Sequence, residues 1–364
     1  MTEPDLQPIA AAGLLVTDGC PARCRHCYVA SGPDRTGWMT ARAAAGHLAA
    51  LARLGVPAEG IHIGGGEPFG DFARLLEIVR AAGEKGSGER GSGALSFKAP
   101  DPLSHNAGEP RPPGGVGYVE TNAFWATDAE IVRSRLRALA DAGMRQISIS
   151  ADPYHQEFVP PDRVRLLYEV AREVLGPDGV RARRWKWIAA GCDVAAMPEA
   201  ARLDLFRTFL ARYPERMTGR AAESLAPLLP RCPLEEIPRE GCHKAILESR
   251  HVHVDPQGWV YPGTCAGITL GQATADLPLD RLLAAWRLAD RPLVAALVEG
   301  GPRTLADHAA RHGFQPDPSG YAGKCHLCWA ARKALLHAGA GGETLQPEDL
   351  YHAAGGNTRR SSPL

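Results

Sequence analysis

Along the first half of the chain, short apolar runs alternate with stretches of helical period. Gly13–Thr17, Gly60–Ile63, Val116–Asn122 and Gln146–Ser150 read as strands, and Thr40–Arg53, Asp71–Ala82, Thr127–Asp141 and Arg163–Leu175 read as helices. A fifth strand is expected within Val180–Ile188 and a further helix over Pro198–Tyr213. Strand and helix in regular succession make a repeated βα unit, and hence a parallel sheet. Thr127 with Glu130 three positions on has capping-box spacing, and Gly143 supplies the stop. From about Pro230 the rhythm is lost. The pattern therefore predicts an α/β domain over 1–229, a smaller cysteine-rich α+β domain over 230–340 and a tail over 341–364, ending in GGNTRRSSPL. Glu84 to Gly115 holds seven Gly and five Pro with few large apolar side chains, which reads as a flexible insertion.

The strands are not the continuous apolar runs of a sheet buried on both faces. In Gln146–Asp152, Ile147 and Ile149 point one way while Ser148, Ser150 and Asp152 point the other; Tyr118, Glu120 and Asn122 likewise share a face. One face then packs helices and the other looks into a polar cavity, as in a partly open barrel whose chemistry gathers at the C-terminal strand ends. A solvated antiparallel sheet would show the same alternation without the βα order.

Composition narrows the partners. Lys plus Arg and Asp plus Glu both number 41, so nothing global draws the chain to nucleic acid or to an anionic membrane. No apolar run reaches the roughly eighteen residues of a membrane span, and the N-terminus has no signal-peptide pattern, so a cytoplasmic, reducing location is expected. Nine cysteines in such a compartment point to metal or redox chemistry rather than to disulfides.

Three of those cysteines fall in CPARCRHC, residues 20–27, directly after the first strand. Three thiolates can hold three irons of a [4Fe–4S] cluster and leave the fourth iron open to a substrate or cofactor, whereas a structural site is closed by four ligands. A zinc site is the competing reading, although zinc would want a fourth ligand nearby. Cys20-x3-Cys24-x2-Cys27 followed by Tyr28 resembles the signature of the radical S-adenosylmethionine (SAM) superfamily, and Gly64-Gly65-Gly66-Glu67-Pro68 after the second strand resembles that family's GGEP motif. The resemblance covers about 12–215 and implies a partial (β/α)6 TIM-type barrel. It also implies reductive cleavage of SAM at the cluster to a 5'-deoxyadenosyl radical that takes hydrogen from a substrate.

Carried over by position, His26 occupies the aromatic slot packed near the adenine, and Gly65, Gly66 and Glu67 approach the methionine portion of SAM. Asn122, Ser150 and Asp152 are candidates for its ribose or carboxylate, or else polar strand ends that cap the next helix. RARRWKW, residues 181–187, could serve nucleic acid by charge and stacking. Its place at the fifth strand and the balanced total charge favour Arg184 or Arg183 as a partner of the SAM carboxylate. Tyr154, His155 and Glu157 stand just past the fourth strand, where substrate arrives.

In the second half, HVHVDPQGWVYPGTC reads as a hairpin around Asp255–Gly258, between Cys242 and Cys265, and Cys325-His-Leu-Cys328 opens a helix. The arrangement is similar to the SPASM and twitch domains that radical SAM enzymes append for auxiliary clusters. It departs from the SPASM pattern in having six rather than four residues between Gly258 and Cys265 and no cysteine after Cys328. The resemblance implies one auxiliary [4Fe–4S] cluster on Cys242, Cys265, Cys325 and Cys328, with Cys232 in reserve; a zinc ion on the same four thiols is the alternative. Cys192 reads as a small buried hydrophobe.

Two classes of function remain in view, a radical SAM enzyme and a zinc-stabilised binding protein on a degenerate barrel. Intact cysteine and GGEP motifs favour the enzyme. Its relatives imply a ribosomal peptide or a small natural-product metabolite as substrate and flavodoxin or ferredoxin as electron donor. The nineteen residues before Cys20 leave room for a small substrate or a separate leader-binding protein.

Overall fold

The structure is a computed structural model that describes residues 6–84, 115–189 and 193–355. The expected insertion, Cys192 and the end of the tail lie outside the described residues. Eight strands form one sheet: β1 (Ala11–Thr17), β2 (Ile61–Gly65), β3 (Val116–Thr121), β4 (Met144–Ser150), β5 (Val180–Arg183), β6 (His251–Val254), β7 (Trp259–Pro262) and β8 (Gly271–Gln272), in the order β5-β4-β3-β2-β1-β6-β7-β8. The first six pair in parallel, and β7 and β8 add antiparallel strands. Since β5 and β8 stand at opposite edges, this is an open α/β sheet of the partial-barrel kind.

Strand β6 lies beyond the expected boundary near residue 230, yet it pairs with β1 from Ala11↔His251 to Leu14↔Val254. The sheet is therefore continuous across that position. The predicted hairpin is present as β6 and β7, turning over Asp255–Gly258; the Asp255 carboxylate accepts from Gln257 N and Trp259 N.

Helices α1 (Ala41–Arg53), α2 (Phe72–Glu84) and α3 (Ala129–Asp141) follow the first three βα steps. The short α4 (Pro153–Gln156) and the longer α5 (Pro161–Leu175) follow β4. Apolar residues at helical spacing seal this layer onto the sheet: Leu48 and Leu51 from α1, Leu75, Ile78 and Val79 from α2, Val132, Leu136 and Leu139 from α3. The cap of α3 differs from expectation. Asp128, rather than Thr127, accepts from the Glu130 and Ile131 amides at 2.8 and 3.0 Å, placing a negative charge on the helix N-terminus.

The fifth strand is also shorter than the sequence suggests. Arg184 takes a positive φ of 64°, the chain leaves the sheet, and α6 (Trp185–Ala189) begins. Trp185 stacks on Tyr168 and Trp187 meets Phe209 edge-on, so both rings serve the core rather than base stacking. Beyond come α7 (Glu199–Arg212), α8 (Arg220–Ser224), α9 (His243–Ile246), α10 (Leu279–Ala285), α11 (Pro292–Ala310), α12 (Lys324–His337) and α13 (Glu348–Ala354). Among the described residues no helix is long and apolar enough to cross a membrane.

Candidate active site

At the C-terminal strand ends a cavity of about 440 Å³ opens, and Cys20, Cys24 and Cys27 all line it. The loop that carries them is held by its own backbone, Cys20 N donating to Gly32 O and Cys27 N to Cys24 O, both at 3.1 Å. From behind, the buried Arg220 guanidinium donates to the carbonyls of Cys24, Ala30 and Ser31 at 3.1, 2.9 and 2.8 Å. Three carbonyls on one fork fix the loop's curvature and set a cation beneath the thiols. Burial pushes the Cys20 and Cys24 thiols well above their ordinary range; Glu67 adds to the rise at Cys20, and Arg220 works against it at both.

The glycine turn after β2 packs onto this loop. Gly66 N donates to Thr17 O at 2.6 Å and Glu67 N to Gly19 O at 2.9 Å. Gly65 sits at φ 121°, and a Cβ there would stand 2.5 Å from Thr17 O; at Gly66 it would run into the Gly19 carbonyl. Side chains are thereby excluded from the cradle that Gly64, Gly65 and Gly66 present to the cavity. The Glu67 side chain does not line the cavity. It turns away, and its buried carboxylate accepts from Thr121 Oγ1 (2.8 Å), Asn122 N (2.7 Å) and Phe69 N (3.2 Å). Its part is to pin the end of β3, which sets Asn122 with Nδ2 3.6 Å from Cys20 Sγ. Burial raises Glu67 to about 7.

Asn122, Ser150, Asp152, Arg183, Arg184, His26 and Tyr28 all reach the cavity, so the alternation read in the strands placed its polar face. Of the three residues past β4 only His155 reaches it. Tyr154 packs against Phe206 and Phe209, while Glu157 is paired with Arg25 and Arg202. Asp152 caps α4, accepting from the Tyr154 and His155 amides, and meets His155 Nδ1 at 2.8 Å. Burial opposes the Asp152 charge, yet His155 and His26 hold the carboxyl well below its ordinary value. His155 is raised in turn, Asp152 outweighing burial, so the two form an ion pair. His26 stacks on Tyr154, and burial lowers it to about 4, leaving a neutral flat ring at the cavity wall. Opposite stand the Arg183–Glu120 pair and Arg184 over the Tyr213 ring at 3.8 Å. Glu215 is raised to about 7 by burial and by Asp152.

A second cavity of about 590 Å³ is lined by Cys242, Cys265, Cys325 and Cys328, with apolar residues such as Ile246 and Leu297 and charged ones such as Glu240, Lys244, Lys324 and Arg332 around them. Cys242 precedes α9, Cys265 follows the β6–β7 hairpin, and Cys325 and Cys328 share the first turns of α12. Burial raises the thiols of Cys242 and Cys328 to about 11 and 12. Cys232 is not among the lining residues. Its backbone forms a bridge with Tyr321, and its Sγ lies 3.6 Å from the Tyr321 carbonyl. Arg216 borders both cavities and donates to Cys265 Sγ at 3.1 Å.

A tetrahedral zinc with Zn–S near 2.3 Å draws its thiolates to about 3.8 Å apart, whereas a four-iron cube spreads its ligands over its corners. Among the described residues, no three cysteine sulfurs lie within 4.8 Å of one another. Neither set thus gathers three sulfurs as closely as tetrahedral zinc thiolates stand. Arg220, Arg216, Glu215 and the true partner of Glu67 were missed in the sequence. Each reaches its site only through the fold, from far along the chain, and carries no local motif.

Residues 14–177 match the family model described as Radical SAM superfamily, so the chain carries a radical SAM domain and is an enzyme. No curated protein matches it in sequence. Similar solved structures include BtrN in complex with AdoMet and 2-DOIA, at 12% identity and a TM-score of 0.41, covering 84% of this chain and 90% of that one. Native anSMEcpe with bound AdoMet and Cp18Cys peptide aligns at 14% identity and a TM-score of 0.40, covering 94% of this chain and 99% of that one.

Proposed function

We propose that Cys20, Cys24 and Cys27 hold a [4Fe–4S] cluster, that SAM lies against it in the 440 Å³ cavity, and that Cys242, Cys265, Cys325 and Cys328 hold an auxiliary [4Fe–4S] cluster. The observation that carries this reading is the meeting of three free, spread thiols with a side-chain-free glycine cradle in one polar cavity. When bound, cluster and SAM supply one-electron cleavage to a 5'-deoxyadenosyl radical, and with it hydrogen abstraction from the substrate.

The protein's residues orient and insulate. Backbone groups at Gly64–Gly66 can accept from the methionine ammonium, and Arg184 or Arg183 can pair with its carboxylate. His26 offers its ring face to the adenine, and Asn122 and Ser150 offer polar contacts to the ribose. The Asp152–His155 pair, Glu215 and Thr264 complete the wall. A substrate group entering here meets charge of both signs and is polar where it meets them. A ribosomal peptide or a small natural-product metabolite would supply such a group, and flavodoxin or ferredoxin the electron. Closure of the auxiliary centre by four thiolates suits it to accept an electron from an oxidised substrate or to brace the fold. Anaerobically reconstituted protein, given SAM and a reductant, forms 5'-deoxyadenosine on this reading. Iron-replete protein that leaves SAM intact refutes it.

A further inference from the structure

Beneath the cavity the sheet carries a second constellation that the proposed chemistry does not use. His62 on β2 and His253 on β6 both align with Gly13 on β1, and His251 aligns with Ala11 two residues earlier. Equal register and a period of two put all three imidazoles on one face of the sheet. Their ring centroids are 5.4, 5.3 and 4.6 Å apart, and one nitrogen from each lies within 4.8 Å of the other two. Gly13 makes this possible: a Cβ there would stand 2.5 Å from His62 Nε2 and collide with the His253 ring.

We infer that His62, His251 and His253 form a binding site for a divalent transition-metal ion of the zinc type. His253 Nδ1 lies 2.6 Å from the Gly263 carbonyl, to which it donates, so Nε2 keeps its lone pair for a ligand. A backbone acceptor behind the ring is the usual support of a metal-bound histidine. The Nε2 of His251 is buried and has no hydrogen-bond partner, a cost that coordination would remove. His62 and His253 are 4% and 3% exposed, and burial lowers all three rings, so they are neutral and ready to bind. The half-buried His251 gives an ion its way in.

Three imidazoles suit zinc, cobalt or nickel and leave a coordination position for water. An ion held from β2 and β6 would span β1 and so fasten the first half of the chain to the second. Tyr28, which lines the cavity above, has its ring 6.1 Å from His253, so the ion would sit one side chain below the SAM pocket.

The test uses the full chain with its clusters reconstituted anaerobically, exposed to excess zinc, washed with a chelator and analysed for zinc and iron together. About one retained zinc per chain is expected in the wild type and almost none in His62→Phe or His251→Phe, with iron equal in all three. Phe preserves ring packing, including the stack of His62 on Tyr118 at 4.9 Å. Equal zinc in wild type and variants, or none in the wild type, overturns the site. If a variant fails to fold, X-ray absorption at the zinc edge of the wild type decides. A first shell of imidazole nitrogen is expected, and a sulfur shell overturns the assignment.

Discussion

The two cysteine-lined cavities share Arg216 yet differ in their thiol number and in the glycine cradle that only the first possesses. The first offers three thiols, charged and amide side chains and a bare glycine floor; the second offers four thiols with Ile246, Ile268, Leu297 and Val298 and with charged residues such as Glu240, Lys244, Lys324 and Arg332. A missing ligand beside polar groups leaves a place for a reactant. A complete set of four thiolates leaves no open position on a cluster it holds. On the proposed reading, the number of thiolates at each site is what separates a reactive centre from an auxiliary one.

The largest effect expected from breaking this contrast comes at the first site. Replacing Cys20, Cys24 and Cys27 by Ala should remove about four irons and all 5'-deoxyadenosine formation while the second centre stays filled. Changing Cys325 and Cys328 to Ala should also remove about four irons, with substrate turnover or solubility lost but SAM cleavage retained. Zinc in place of that iron in the wild type would contradict the closed-cluster reading.

Arg220 separates the two centres further, because it braces only the first loop. Arg220→Ala strands the carbonyls of Cys24, Ala30 and Ser31, and hydrogen bonds from a charged donor are worth about 1.5–3 kcal/mol each. The melting temperature should fall by on the order of 10 °C, with iron lost from the first centre before the second. Arg220→Lys, a point donor without the fork, should fall between.

The smallest effect is a pH dependence confined to the first cavity. Glu215 titrates near 7 when folded against an ordinary 4.5, so the folded protein keeps a proton that the unfolded chain releases. Its contribution is full below about pH 4.5 and is lost as the pH rises through 7. Glu215→Gln should thus melt a few degrees above wild type at pH 8 and close to it at pH 5. A larger difference at the lower pH would reverse the sign and rule out burial of Glu215 as its cause.

Much of this was legible in the chain. Period and cap signals placed β1 to β4 and their helices to within a few residues, because each reports on its own neighbours. The three cysteines and the glycine run were legible for the same reason. What escaped was long-range. That β6 would pair with β1, joining His251 and His253 to His62 across Gly13, depends on a register no local pattern encodes. Glu67 shows the same limit. The motif located it correctly, but only the fold shows that Thr121 and Asn122 claim its carboxylate. Arg184 ended the fifth strand early by a backbone turn that an alternation of cations and tryptophans did not announce.

Whether an open centre stands beside a closed one is decided by electron paramagnetic resonance of the reduced protein, with and without SAM, in the two cysteine variants. The Cys325→Ala, Cys328→Ala protein should show a cluster signal that SAM shifts, and the Cys20→Ala, Cys24→Ala, Cys27→Ala protein one that SAM leaves untouched. A SAM-dependent shift in the second protein, or none in the first, would contradict the assignment of the two centres.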